Sequence, residues 1–497
     1  MKRLLFRIEE HARRSPGAVA VADGATQLDY AALQHEIEDA AERLPWDRVG
    51  LLAENSCGWA VVDLAVARRG GVCVPMPVFF SDGQLLHLIR DAGLDVVLTD
   101  APERVSRLIE SRPVDMFVVA GQRLAIFVPG HGGKRSALPA GTAKVTYTSG
   151  TTGAPRGVCL SGSSVERVAA TLCDAVTAQP RDRSLALLPL STLLENVGGL
   201  YAPLWAGGRA QVPSLEDCGI TGSSGLDPRR MMLALAGYEP TTLILVPQLL
   251  KALTECVVAG IPAPRSLRFA AVGGAPSSAA LIRRARTLGI PAFEGYGLSE
   301  AASVVTLNVP GADRPGSAGR ALPHVRLAVD DNGEVVVHGE LFLGYLGSRA
   351  VAGTGWPTGD LGRIDEDGYL HIVGRRKTAF ATAFGRNVAP EWVESELVAG
   401  PGVAQAAVFG EGRPFNVAVI VPMPGAPAEA LRDAVDRANE ALPDYARVAA
   451  WVEADAPFVV ANGLASAAGA PHRAAIGERY QPQIQRLYEQ GERHAVL

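Results

Sequence analysis

No run of eighteen apolar residues occurs anywhere in this chain, which excludes a membrane-spanning helix. The basic start Met1-Lys2-Arg3-Leu4-Leu5-Phe6-Arg7 has no apolar stretch behind it, because Glu9, Glu10, Arg13 and Arg14 intervene. The expectation is therefore a cytoplasmic protein. The chain has no CxxC pair and no histidine spacing suited to zinc, so its six cysteines read as free thiols in a reducing compartment. Concentrated basic charge is missing too: 47 Lys and Arg stand against 52 Asp and Glu, spread along the sequence, and this leaves no footprint for nucleic acid. No Gly-Lys-Ser/Thr follows a glycine-rich turn, so there is no Walker A loop. Gly130 to Ser136 reads as a mobile surface loop.

What is present is a chain of 497 residues, too long for one core and sufficient for two or more domains. Short apolar runs at 49–53, 95–98, 242–246 and 269–272 alternate with helical patterns rich in Ala, Leu and Arg, which predicts α/β layering around mostly parallel sheets. The run ending at Val272 leads into Gly273-Gly274-Ala275-Pro276 and a helix expected over 277–288. A loop at a strand's carboxyl end is where such sheets bind ligands, although the segment reads equally as an ordinary turn. From about Glu334 the pattern changes to short alternating strands and turns, a small antiparallel β region. Beyond Gly374-Arg375-Arg376-Lys377 come a helix over 390–399, strands over 403–409 and 417–421, a helix over 428–442 and a polar tail. The expected fold class is α/β: a large N-terminal domain (1–376) of layered sheets and helices with a small β region, then a small mobile C-terminal α+β domain (377–497).

The most informative stretch runs from Thr146 to Val158. Glycines Gly150 and Gly153 free backbone N–H groups, hydroxyls come from Thr148, Ser149, Thr151 and Thr152, and Arg156 supplies positive charge. Such a loop can converge on phosphate oxygens. It is followed in order by Gly273-Gly274-Ala275-Pro276, Gly295-Tyr296-Gly297-Leu298-Ser299-Glu300, Gly339-Glu340-Leu341, Gly355-Trp356-Pro357-Thr358-Gly359-Asp360, Gly374-Arg375-Arg376-Lys377 and Gly385-Arg386-Asn387-Val388-Ala389-Pro390-Glu391. This set, covering about residues 10 to 480, resembles the ANL superfamily of adenylate-forming enzymes, which includes acyl-CoA synthetases, peptide-synthetase adenylation domains and luciferases.

The resemblance implies that a carboxylate is coupled to ATP to give acyl-AMP and pyrophosphate. The acyl group then passes to the thiol of CoA or of a carrier-protein phosphopantetheine, and the small domain turns on a hinge between the steps. Position by position, it assigns the Thr148–Gly157 loop to the β- and γ-phosphates and Gly274, Ala275 and Pro276 to the adenine. Tyr296 stacks on the base with Gly297 beside it, Ser299 offers a hydroxyl to phosphate, and Glu300 holds Mg²⁺. Asp360 takes the ribose hydroxyls, Arg375 adds a donor to the sugar, and Lys377 falls at the hinge.

Three departures qualify the resemblance. Arg156 replaces a lysine but keeps the charge. Thr192, in Leu188-Pro189-Leu190-Ser191-Thr192-Leu193-Leu194-Glu195, replaces a histidine that would border the acyl pocket. The expected pocket walls are Leu193, Val197, Val246, Leu249, Val272 and Ala301, and Glu195 is the one candidate anion near them. Most consequentially, Ala470 occupies the place of the lysine that bridges the acyl carboxylate and the α-phosphate, unless the register is shifted and His472 or Arg473 takes that role. The leading expectation is an acid-thiol ligase for a fatty acid, with an aryl acid such as a hydroxybenzoate second. The alternative is a pseudoenzyme that holds ATP or acyl-adenylate as a sensor or scaffold.

Overall fold

The structure is a computed structural model that describes residues 1–130, 136–148, 155–222, 225–348, 353, 355–466 and 469–495. The expected loop residues Ser149, Gly150, Thr151, Thr152 and Gly153 and most of the 130–136 segment lie outside the described residues. Two large sheets dominate. One has nine strands, in the order Arg320–Ala321, Ser303–Leu307, Ala292–Leu298, Phe269–Val272, Thr242–Leu245, Arg183–Leu185, Arg209–Gln211, Val19–Ala22 and Gln27–Asp29. The other has eight and contains the parallel strands Arg48–Leu52, Val72–Pro75 and Val96–Thr99 together with the hairpin Thr142–Thr148 and Arg156–Ser161.

The central strands are buried on both faces, which explains why they read as continuous apolar runs rather than alternations. Helices cover them, and side-chain caps fix several of the helix starts. Ser56, Ser81, Ser161 and Ser278 each accept a main-chain N–H from the first turn of the following helix. The Ser278 cap sets the start of the helix expected over 277–288, which spans Ala279–Thr287.

A four-stranded antiparallel sheet follows, made of Val325–Val329, Glu334–Gly339, Gly355–Ile364 and Leu370–Arg375. After it, helices Pro390–Ala399 and Ala428–Ala441 pack on a three-stranded sheet of Val403–Phe409, Asn416–Pro422 and Val448–Glu453. The segment expected as a polar tail instead forms helices Arg473–Arg479 and Gln481–Ala495. Ile476 and Tyr480 anchor it in a separate apolar cluster with Phe458 and Val419, a stabilising contact that the polar composition conceals. Among the described residues no helix is long and apolar enough to cross a membrane.

Two buried lysines tie the parts together. Lys251, on the helix Pro247–Val258, donates to the carbonyls of Val398 and Gly400 at 2.6 and 3.1 Å and to that of Val403. A cation on the large unit thus caps the carboxyl end of a helix on the small one, where the helix dipole favours it. Burial pushes this lysine down to about 8. Lys144, on the strand Thr142–Thr148, lies 2.7 Å from Asp63 on the helix Cys57–Arg69, and both are almost wholly buried. Asn196 and Tyr201 also donate to Asp63, while Trp59 and Tyr201 present ring faces to the ammonium. Burial alone would raise the Asp63 carboxyl, but Lys144 and the Tyr201 and Asn196 donors bring it below its ordinary value.

Removing one member of a buried ion pair leaves the other uncompensated. Lys144→Met is expected to cost about 3–5 kcal/mol in urea unfolding, and Asp63→Leu in the Lys144→Met background to recover much of it. A single-variant cost below about 1 kcal/mol would show that the pair carries little of the local structure.

Candidate active site

The carboxyl ends of the parallel strands converge on a cleft. Thr146, Tyr147 and Thr148 reach it from one sheet, and Ile244, Ala271, Val272 and the segment Gly295–Ser299 from the other. This is the crevice position that open α/β sheets use for ligands. Of the sequence-predicted residues, Thr148, Gly274, Tyr296, Gly297 and Ser299 line it. Gly274 has φ 80°, a left-handed conformation that a side chain would strain, and it carries the chain around the cleft rim. Ala275 and Pro276 follow on the exposed side of that turn and are not part of the lining.

Arg156 and Glu300 are brought together by a residue that the sequence reading did not include. The Arg156 guanidinium stacks 3.9 Å from the centroid of the Tyr345 ring, and the Tyr345 hydroxyl donates to Glu300 Oε1 at 2.7 Å. Burial, reinforced by Glu300, raises the Tyr345 phenol, so it remains a donor. The Phe342 N–H, 2.7 Å from the Glu300 carbonyl, fixes the main chain of the same turn. Tyr345 lies in the two-residue strand Gly344–Tyr345, which pairs with Val158 and Cys159 beside the predicted loop. A strand this short leaves no periodic signal to read.

Asp360, Tyr296 and Arg375 form a second network. Asp360 is 4% exposed, accepts from the Tyr296 hydroxyl at 2.7 Å and pairs with Arg375 Nε at 3.0 Å. Burial pushes the Asp360 carboxyl up, against the pull of Arg375 and Tyr296. Each of its oxygens keeps a further lone pair, so it can still accept from a pair of hydroxyls. Glu294, two residues before Tyr296, is a further carboxyl missed in the sequence. Burial raises it to about 8, and its Oε2 and the nearby Ser277 Oγ are buried without a partner.

The described lining residues end at Leu307, so none comes from the small unit. Ala470 is exposed in a tight turn, where its carbonyl accepts from Ser466 N–H at 2.8 Å and its own N–H donates to Ser466 Oγ at 3.2 Å. His472 is exposed, and Arg473 is held by Glu391 at 3.4 Å and by Glu394. Arg473 is therefore committed to its own unit in this arrangement.

The apolar end of the cleft differs from expectation. Thr192, Leu193 and Val272 line it, but Val197 and Ala301 are wholly packed in the core and Leu249 lies in the cluster behind Val272. Val246 is not a wall either, standing instead beside Gly274. Residues Asn196–Tyr201 form a π-helical turn in which Val197 is wholly buried, and Leu194 just before that turn lines the cleft. Glu195 is wholly buried, accepts from Leu188 N–H at 3.2 Å through Oε2, and leaves Oε1 unpartnered. A Cβ on Gly199 would stand 1.8 Å from that oxygen, so the glycine makes room for the carboxyl. Burial raises Glu195 well above its ordinary value. Burial favours its protonated form and it is not among the cleft-lining residues, so it is not placed to meet an ammonium group in the cleft.

The family model of the AMP-binding enzymes matches residues 8–348, and that of the AMP-binding enzyme C-terminal domain matches residues 379–492. Among curated relatives, feruloyl-CoA synthase of Amycolatopsis sp is 31% identical over 453 residues, spanning 83% of this chain and 87% of that protein. Long-chain-fatty-acid–CoA ligase FadD15 of Mycobacterium bovis is 28% identical over 495 residues, spanning 83% of this chain and 80% of that protein. Among solved structures, the anthranilate CoA ligase AuaEII in complex with anthranoyl-AMP superposes with a TM-score of 0.79 over 96% of this chain and 98% of that one, a likeness of fold at 19% identity.

Glu195 gives a pH prediction. Its folded pKa lies above the ordinary 4.5, so the folded state holds the proton more tightly and stability falls as pH rises above that value. Glu195→Gln removes this slope. The variant is expected to match wild type near pH 4 and to gain on it steadily toward pH 7 in denaturant titrations, whereas a constant difference across that range would mean that Glu195 is ionised in the fold.

Proposed function

The chain belongs to the AMP-binding enzymes, within the ANL superfamily of adenylate-forming enzymes, and from that premise we propose that it is an AMP-forming acid–CoA ligase for a carboxylic acid with an apolar body. The observation that carries this reading is the mixed lining of the cleft. Gly274, Thr148 and Ser299 contribute glycine and hydroxyl groups, and Phe79, Leu193 and Val272 apolar side chains. A polyphosphate suits the first set and an apolar acid the second.

In this reading the segment Thr148 to Gly157 receives the β- and γ-phosphates, with Arg156 held in place by its stack on Tyr345. Tyr296 and the Gly274–Pro276 turn receive the base, and Asp360 accepts the ribose hydroxyls while Tyr296 and Arg375 hold it in orientation. Among the described residues no cluster of three or more His, Cys, Asp or Glu offers a self-contained metal site. Glu300, oriented by Tyr345, suits an ion that arrives with phosphates and needs one protein carboxylate. When bound, Mg²⁺ screens the crowded phosphate charge. A carboxylate oxygen of the acid attacks the α-phosphorus, the bond from that phosphorus to the bridging oxygen breaks, and pyrophosphate leaves. The sulfur of CoA then attacks the acyl carbon, the thiol proton is lost, and AMP leaves. Residues 1–376 form the binding body in this scheme and residues 377–497 the smaller unit that repositions between steps.

Ala470 is the one observation favouring the second reading, an impaired protein that holds ATP or acyl-adenylate as a sensor or scaffold. Two anions meet in the first step, and a methyl group cannot stand between them as a cation would. Missing one preorganised donor at developing charge costs about 10²–10³-fold in rate.

Multiple-turnover pyrophosphate release with ATP, Mg²⁺ and an acid panel separates the readings. Apolar acids are expected to be turned over in preference to α-amino acids, and Ala470→Lys to accelerate adenylate formation by about 10²-fold or more while thioester formation from supplied acyl-AMP changes little. No release from any acid, in wild type and Ala470→Lys alike, would rule out the ligase. Asp360→Ala is expected to weaken ATP binding by calorimetry at least about tenfold, since it removes charge-assisted hydrogen bonds. An unchanged dissociation constant would place the ribose elsewhere.

A further inference from the structure

The cleft does not end at Leu193 and Val272. A second cavity, lined mostly by apolar side chains, lies behind it between the strand Thr242–Leu245 and the helices Gly162–Ala175 and Ala202–Ala206. Five residues border both spaces: Leu194, Ile244, Ala271, Val304 and Leu307. The cavities therefore share a wall made only of aliphatic side chains.

Ile244 is the member of that wall whose freedom is set by a neighbour. A Cβ placed on Gly198 would stand 2.6 Å from Ile244 Cδ1, closer than carbon atoms approach, so the isoleucine tip occupies the space that the glycine leaves. Gly198 belongs to the π-helical turn, which is pinned from behind by the Asn196 and Tyr201 bonds to Asp63. The backbone side of the contact is thus fixed, and the movable side is the Ile244 rotamer. At the far end of the rear cavity the Asp182 carboxylate is already spent on Arg268, Thr241 Oγ1 and the Gln179 N–H. That leaves no unpaired charge there to recognise a polar substituent.

We propose that Gly198 and Ile244 form the partition that sets acyl length, with the cleft taking the carboxylate and first carbons and the rear cavity the tail of a medium- or long-chain aliphatic acid. The inference rests on the ligase reading for its substrate but on the two cavities for its geometry. A compact aryl acid would fill only the front space, whereas a flexible methylene chain can pass the wall once Ile244 rotates. The added methyl of Gly198→Ala would take up the gap in which Ile244 has to turn and so narrow the passage. Ala206→Trp would fill the rear cavity from its far wall without touching the partition.

The test measures kcat/KM for pyrophosphate release with benzoate, hexanoate and decanoate, and calorimetric binding of benzoate and decanoate, using the full chain in wild type, Gly198→Ala and Ala206→Trp. Wild type is expected to favour decanoate over benzoate, and each variant to lower the decanoate-to-benzoate ratio by about tenfold or more, the scale on which apolar pockets discriminate. Wild type favouring benzoate, or a ratio unmoved in both variants, overturns the inference while turnover itself leaves the ligase reading intact. Decanoate binding that both variants weaken, with no pyrophosphate from any acid in wild type or in Ala470→Lys, supports the rear cavity and overturns the ligase reading instead. Ala206→Trp keeps the test decisive if Gly198→Ala does not fold.

Discussion

The Asp63–Lys144 pair is the constraint on which the site's geometry depends. Lys144 lies in the strand that delivers Thr148 to the cleft, and Asp63 holds the π-helical turn that shapes its apolar end. One buried contact therefore registers the strand that carries Thr148 against the turn that follows Leu193 and Leu194. Desolvating two charges consumes most of what their attraction returns, so such a pair adds little net stability while penalising any misalignment heavily. Here that exchange favours placement, because Trp59 and Tyr201 enclose the ammonium and two further donors saturate the carboxylate.

The polar side of the cleft is organised by phenols. Tyr345 joins Arg156 to Glu300, and Tyr296 joins the strand Ala292–Leu298 to Asp360. Both hydroxyls have their pKa raised by burial and by the carboxylates they face, so they stay protonated and orient those groups without adding charge. A lysine in either place would neutralise the carboxylate. The phenol fixes direction and leaves the charge available.

Much of this was legible in the sequence, and the exceptions share a cause. The buried parallel strands, the helix Pro390–Ala399 and the strand Val403–Phe409 were read directly, because apolar runs and a helix-starting proline are local signals. Thr148, Tyr296, Ser299 and Gly274 fell on the cleft because ordered motifs carried them there. The misses were tertiary. Tyr345 sits in a two-residue strand, the π-helical turn departs from the period on which a helix face is read, and the terminal helices depend on a cluster assembled from separate segments. The pocket walls Ile244, Leu194 and Leu307 were likewise invisible, since nothing local separates a wall from a core residue.

Lys251 has a different kind of consequence. Its three acceptors are main-chain carbonyls at the end of the helix Pro390–Ala399 and just beyond it, so no side chain of the small unit takes part in the grip. The contact is blind to substitution there and sensitive only to where the helix stops. When the surfaces part, water replaces ammonium and carbonyls alike, so the net holding energy for a charged donor is only about 1.5–3 kcal/mol per bond. The lysine therefore works like a detent: it holds one seating of the small unit by sharp geometry rather than by a large net energy.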